Sequence, residues 1–165
     1  MSIADRLRRS DSNFPGRRWT SLRWSSTSCG RGNCIGIRSG IVDAIATDHA
    51  PHSEEDKLKG MAGMVGSETA FGVCYTKLCK EEGLPLELLS HLMSTRPAEI
   101  LGLAKGQLEP GYDADFVLVD LDTPYTVDKN KLHSKSHNCP FDGAQLYGRV
   151  CATVKGGELT YQAEE

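Results

Sequence analysis

Ile41-Val-Asp-Ala-Ile-Ala-Thr-Asp-His-Ala-Pro-His52 is the stretch whose reading decides the fold. Ile41, Val42, Ile45 and Ala46, with Ala44 between them, form a β-branched run about half a dozen residues long, which suits a strand buried on both faces of a parallel sheet under helices. Pro51 ends it. Thr47, Asp48, His49 and His52 then stand at the C-terminal end of that strand, the end where parallel barrels keep their chemistry. By itself an Asp-His pair is more simply a cap and a loop, because short motifs match often by chance.

Upstream of this stretch the composition changes. Residues 1–40 hold eight of the ten arginines, none of the lysines, both tryptophans and only Asp5 and Asp11 as acids, a net charge of +6. That leaves −9 for the rest of a chain whose formal charge is −3. Arg17-Arg18-Trp19 and Arg23-Trp24 have the make-up of a nucleic-acid arm that follows phosphates and stacks bases. Against that, no period of two or 3.6 runs from Pro15 to Gly36, so residues 1–39 read as an atypical or disordered Arg/Ser-rich segment. A local frameshift or truncated gene model accounts for the bias better than a genuine basic arm, and nucleic-acid binding ranks last among the functions weighed.

Downstream, Ser53 to Lys59 is charged and reads as a solvated loop, and Gly60 to Ser67 carries glycines without the spacing of a phosphate-binding loop. Ser67 is placed to cap a helix from Glu68 to about Glu82, with Phe71, Tyr75, Leu78 and Cys79 on one face and Gly83 as its stop. Glu68 is then a first-turn acid. A second helix is expected from Pro85 to Met93 and a third from Thr95 to Leu101, ended by Gly102. From Gly106 the pattern turns to strands: Phe116 to Leu121, a weaker one at Tyr125 to Val127, and a hairpin built from Arg149 to Val154, Gly156-Gly157 and Glu158 to Tyr161. His91 reads as a surface or partly buried residue. The six cysteines include no C-x-x-C pair to begin a structural zinc site; Cys29 and Cys34 stand at C-x4-C, and reduced thiols are the default. No run is apolar enough to span a bilayer and Met1 to Ser10 lacks the apolar middle of a secretory signal, so a cytoplasmic protein is expected, with no membrane partner.

Thr47 to His52 resembles the TDHAPH signature that ends the eighth barrel strand of dihydroorotases, in the amidohydrolase superfamily. Three further segments follow in the same order. Ala62 to Thr69 is similar to A-x-G-x-x-G-x-E-T, with Ser67 where Leu is commoner; Gly106 to Asp120 to G-x-I-x-x-G-x-D-A-D-x-V-x-x-D; and Ser136 to Gly143 to S-x-N-T-P-F-x-G, with Cys139 in place of Thr. Asp11-Ser12-Asn13-Phe14 and Arg38-Ser39-Gly40-Ile41 resemble the start and end of the segment that leads into the strand. Hydantoinases and allantoinases share this architecture, but their signatures vary after Asp-His; His52 favours dihydroorotase.

The resemblance implies an α/β fold: residues 40–104 as the end of a metal-dependent (β/α)8 amidohydrolase barrel and residues 105–165 as part of a small β-sandwich. A whole barrel needs about 250 residues, so 165 are too few for the complete enzyme. The implied activity is the interconversion of carbamoyl aspartate and dihydroorotate in pyrimidine synthesis, with zinc as cofactor. Asp48 would bind the metal and shuttle the proton, His52 would contact the substrate carboxylate, Ala62 and Gly63 would offer backbone groups to the ring, and His49 would support the site or the fold. The family's remaining zinc ligands, an H-x-H pair among them, are missing from this sequence. The isolated chain is therefore expected to be inactive. The alternatives are a non-catalytic assembly partner of a carbamoyltransferase or another cyclic amidase, a hydantoinase or allantoinase; the partners expected beside the small-molecule substrate are further copies of the chain or aspartate carbamoyltransferase.

Overall fold

In a computed structural model the described residues are Ser21–Arg23 and 31–164, with side chains from residue 35 onward. Residues 1–20 and 24–30, which include Asn13-Phe14, the Arg17-Arg18-Trp19 and Trp24 sites and Cys29, lie outside them. Within the Arg/Ser-rich segment, strand β1 (Ser21–Arg23) and helix α1 (Arg31–Arg38) are formed. β1 pairs in parallel with β2 (Ala44–Ala46), with Leu22 opposite Ile45.

β2 is half the length that its apolar run suggests. The chain leaving α1 turns tightly, and the Ile41 and Val42 amides donate to the Gly36 carbonyl at 3.0 and 3.4 Å. Those two residues belong to the helix exit and not to the sheet. Val42 turns inward and Ile41 outward, while Ala44 and Ile45 are buried on opposite faces of β2, as a covered parallel strand requires.

Ser53 to Lys59, read as a loop, instead contains helix α2 (Glu54–Leu58). Ser53 Oγ accepts the Asp56 amide at 3.1 Å and donates to Asp56 Oδ2 at 2.8 Å, a reciprocal cap. Three acids in the first turn favour the positive end of the helix. No side chain of α2 is buried, so no apolar stripe announces it.

The next helix starts two residues later than expected. Ser67 to Thr69 form a turn, α3 runs Ala70–Cys74 and widens into π-type turns over Tyr75–Glu81, and Gly83 stops it at φ +65°. Ser67 is not its cap. The second and third expected helices are one continuous run: α4 (Leu86–Ser90), π-type turns over His91–Thr95, and α5 (Arg96–Leu101). Thr95 keeps helical backbone and spends its hydroxyl on the Gly106 carbonyl at 2.7 Å. Pro97, which has no N–H to give, falls where α geometry resumes after the wider turns.

α3 buries two faces. On one, Cys74, Tyr75 and Leu78 join Ile37, Val42, Ile45, Leu84, Leu89 and Leu92 in the larger core, which fixes β2 against the helices. On the other, Val73 packs with Val127, Cys139 and Leu146. This second core holds the pair β4 (Tyr125–Thr126) and β5 (Gln145–Leu146), together with the loop between them, against α3.

The remaining strands make an antiparallel sheet in the order β3 (Phe116–Asp120), β6 (Arg149–Lys155), β7 (Glu158–Gln162). Gly156 and Gly157, at φ +58° and +83°, close the β6–β7 hairpin with the paired positive φ of a type I′ turn. After residue 105 the described residues hold this three-stranded sheet and the separate two-stranded β4–β5 sheet, and no described helix is long and apolar enough to cross a membrane.

Candidate active site

β2 ends at Ala46, and the chain runs on without regular structure from Thr47 to His52, apart from a single bridge at His49. Asp48 lies at φ +50°, the one non-glycine residue with positive φ among the described residues. Aspartate tolerates this left-handed conformation better than most side chains, and such backbone clusters at functional sites. Asp48 is exposed at the strand mouth.

His49 faces the neighbouring segment. Its Nδ1 accepts the backbone amides of Gly66 and Ser67 at 3.1 and 3.2 Å, so the neutral ring carries its hydrogen on Nε2. The Ala50 amide donates to the Met64 carbonyl at 2.9 Å, and His49 and Met64 form a parallel bridge. The segment after β2 and residues 63–67 are therefore laced together as an irregular extension of the sheet.

That lacing brings His52 against Gly63. At φ +145°, Gly63 adopts a backbone closed to other residues, and a methyl group there would stand 2.8 Å from His52 Cδ2 and overlap the Ala50 carbonyl. His52 is half-buried and Ala62 exposed beside it. The Gly63 carbonyl is used from behind, accepting Lys57 Nζ at 2.9 Å and Asn138 Nδ2 at 2.5 Å.

Glu68 has a different task from that of a first-turn acid. Its carboxylate accepts the backbone amides of His133 and Ser134 at 2.8 and 3.0 Å and meets His133 Nδ1 at 3.1 Å. Burial pushes the carboxyl up, but these hydrogen bonds outweigh it and hold Glu68 below the ordinary glutamate value. A carboxylate lowered on folding contributes stability that is complete above its ordinary value and is lost as pH falls through the lowered one. In thermal melts from pH 7 to pH 3, Glu68→Gln is expected to melt below the parent near neutrality, with the gap closing toward pH 3. A gap that stays constant with pH would show that the carboxylate does not hold this loop.

His133 and His137 are engaged by Glu68 and by the Lys129 carbonyl, and His91 is half-buried on its helix. Among the described residues no three His, Cys, Asp or Glu side chains converge. Catalytic zinc takes about three protein ligands, so the donor set described here does not fit that metal without further ligands.

A model of the amidohydrolase family matches residues 37–161. The chain belongs to the amidohydrolase family. Among amidohydrolases it is dihydroorotase-like. It is 52% identical over 126 residues to a dihydroorotase of Clostridium botulinum, covering 76% of this chain and 32% of that one. To a dihydroorotase of Bacillus licheniformis it is 44% identical over 131 residues, covering 77% and 31%. The chain thus spans about a third of the length of these curated relatives. Among solved amidohydrolase structures, an L-hydantoinase (dihydropyrimidinase) from Arthrobacter aurescens superposes with a TM-score of 0.75 at 30% identity, covering 81% of this chain and 32% of the other. A D-hydantoinase from a Thermus species matches at TM-score 0.73 and 23% identity over 80% and 31%, a likeness of fold. The α/β architecture is accordingly that of an amidohydrolase segment.

Proposed function

We propose that the chain supplies the C-terminal third of a dihydroorotase, the part that presents a proton carrier and a wall of the substrate pocket. The observation that carries this reading is the packing of His52 on Gly63 directly beyond the exposed Asp48. Opening a cyclic amide requires water to lose a proton as it adds to the carbonyl and the ring nitrogen to gain one as the C–N bond breaks. Asp48, at the strand mouth, takes the first proton and returns it to the departing nitrogen. Ring closure runs the same steps in reverse.

His52 offers a ring nitrogen to the carboxylate that distinguishes dihydroorotate from uncharged cyclic amides. Ala62 and Gly63 supply main-chain groups to the ring. The zinc implied for this family would need ligands beyond the described residues, with Asp48 as this chain's own contribution.

A direct test splices residues 40–162 in place of the matching third of the Clostridium botulinum relative and assays dihydroorotate, hydantoin and dihydrouracil. Turnover of dihydroorotate with discrimination against the two substrates that lack a carboxylate is the expected result. Preference for hydantoin or dihydrouracil would transfer the reading to the hydantoinase class, which the structural neighbours represent. Loss of all turnover in a folded protein would favour a non-catalytic assembly role.

A further inference from the structure

The loop between β4 and β5 touches the proposed recognition segment at two points, and nothing in the reading above uses it. Asn138 makes the first contact twice over. Its side-chain amide donates to the Gly63 carbonyl at 2.5 Å, and its own carbonyl accepts the Val65 amide at 2.9 Å. Glu68 makes the second, gripping the His133 and Ser134 amides. Between these points the loop braces itself, with the Ser136 amide on Ser134 Oγ at 3.2 Å and the Asn138 amide on Ser136 Oγ at 3.3 Å. Cys139, buried against Val73, anchors its far end.

We propose that Asn138, held by the Glu68 grip, is the positioning residue that sets the Ala62–Gly63 backbone for ring recognition. The inference rests on the dihydroorotase reading and deepens it. Gly63 sits at φ +145° with no side chain to lock it, so its orientation has to come from hydrogen bonds to its peptide groups. Lys57 reaches the same carbonyl, but from the end of a flexible side chain. Asn138 reaches it from a loop whose own backbone is bonded to Val65, two residues further on, so a shift of Gly63 relative to Val65 must break one of the two bonds. Misplacing a binding group by an ångström weakens recognition of the substrate without altering the proton carrier.

The discriminating change is Asn138→Asp, which keeps size and shape but replaces the donor with an oxygen facing a carbonyl. Two measurements follow it: steady-state kinetics in the spliced enzyme, and hydrogen exchange of the amides of residues 63–67 in the full 165-residue chain. The expected result is a KM for dihydroorotate raised about tenfold or more, a kcat within about threefold of the parent, and faster exchange across the segment. Asn138→Gln, a longer donor, should recover part of the KM. An unchanged KM in an active enzyme overturns the proposal, as does an equal loss in kcat and kcat/KM. If the parent splice itself fails on dihydroorotate, the reaction assignment falls and exchange decides the clamp: unchanged protection in Asn138→Asp overturns it, and faster exchange supports it.

Discussion

Changing Asp48 to asparagine in the spliced enzyme is expected to lower kcat/KM for dihydroorotate by about 10²–10⁴-fold, the range that a positioned proton carrier contributes. Asparagine preserves the side chain's size and is among the few residues that accept the left-handed backbone found at φ +50°. The left-handed backbone at this position and the lacing to residues 63–67 should therefore survive, and the melting temperature should move little. Alanine is a poorer probe, since it removes the carboxylate and strains the backbone together. A loss smaller than tenfold in Asp48→Asn would assign proton transfer to another group, whatever the enzyme's substrate proves to be.

The largest expected effect on stability comes from Leu78→Ala. Leu78 is fully buried where π-type turns on α3 meet β2, α4 and the turns that follow α4, among Ile45, Leu84, Leu89 and Leu92. Truncation there removes about 2–5 kcal/mol, the transfer term of the lost carbons plus the cavity they leave. For a chain of this size that is a fall of roughly 5–20 °C in melting temperature. The measurement is a thermal or urea melt of the 165-residue protein. A change under about 1 kcal/mol would mean that the site collapses around the smaller side chain, and that β2 is not fixed by this cluster.

What could be read in advance follows from how far each signal reaches along the chain. The strand at Ala44 to Ala46, the buried face of α3 around Leu78, its stop at Gly83 and the hairpin at Gly156-Gly157 are local patterns, and the structure has them. α2 carries no apolar stripe because it buries nothing; its signals are Ser53 with Asp56 three residues on and the acids of the first turn. The start of α3 was misplaced because Glu68, a plausible first-turn acid, has its carboxylate taken by amides about 65 residues further on. Thr95 looked like a helix start, but its hydroxyl bonds the Gly106 carbonyl and the helix passes through. Asn138 lies in a recognisable motif, yet its bond to the Gly63 carbonyl spans 75 residues, a distance at which neither periodicity nor capping rules have anything to say. Asp48, His52, Ala62 and Gly63 come from motif residues, and the approach of His52 to Gly63 goes with the bridge between His49 and Met64, which no spacing rule predicts.

The left-handed backbone at Asp48 also bears on how such a protein can drift over generations. Aspartate codons become asparagine or glycine codons by a single base change, and both of those residues accept this conformation. Charge at the strand mouth is thus easier to lose than the bend that carries it. A lineage that abandoned the chemistry and kept the protein as a scaffold would retain the same left-handed backbone, the same lacing and the same packed histidine. At this position, likeness of shape between two members is weak testimony that both still turn over substrate, and the identity of one side chain is strong testimony.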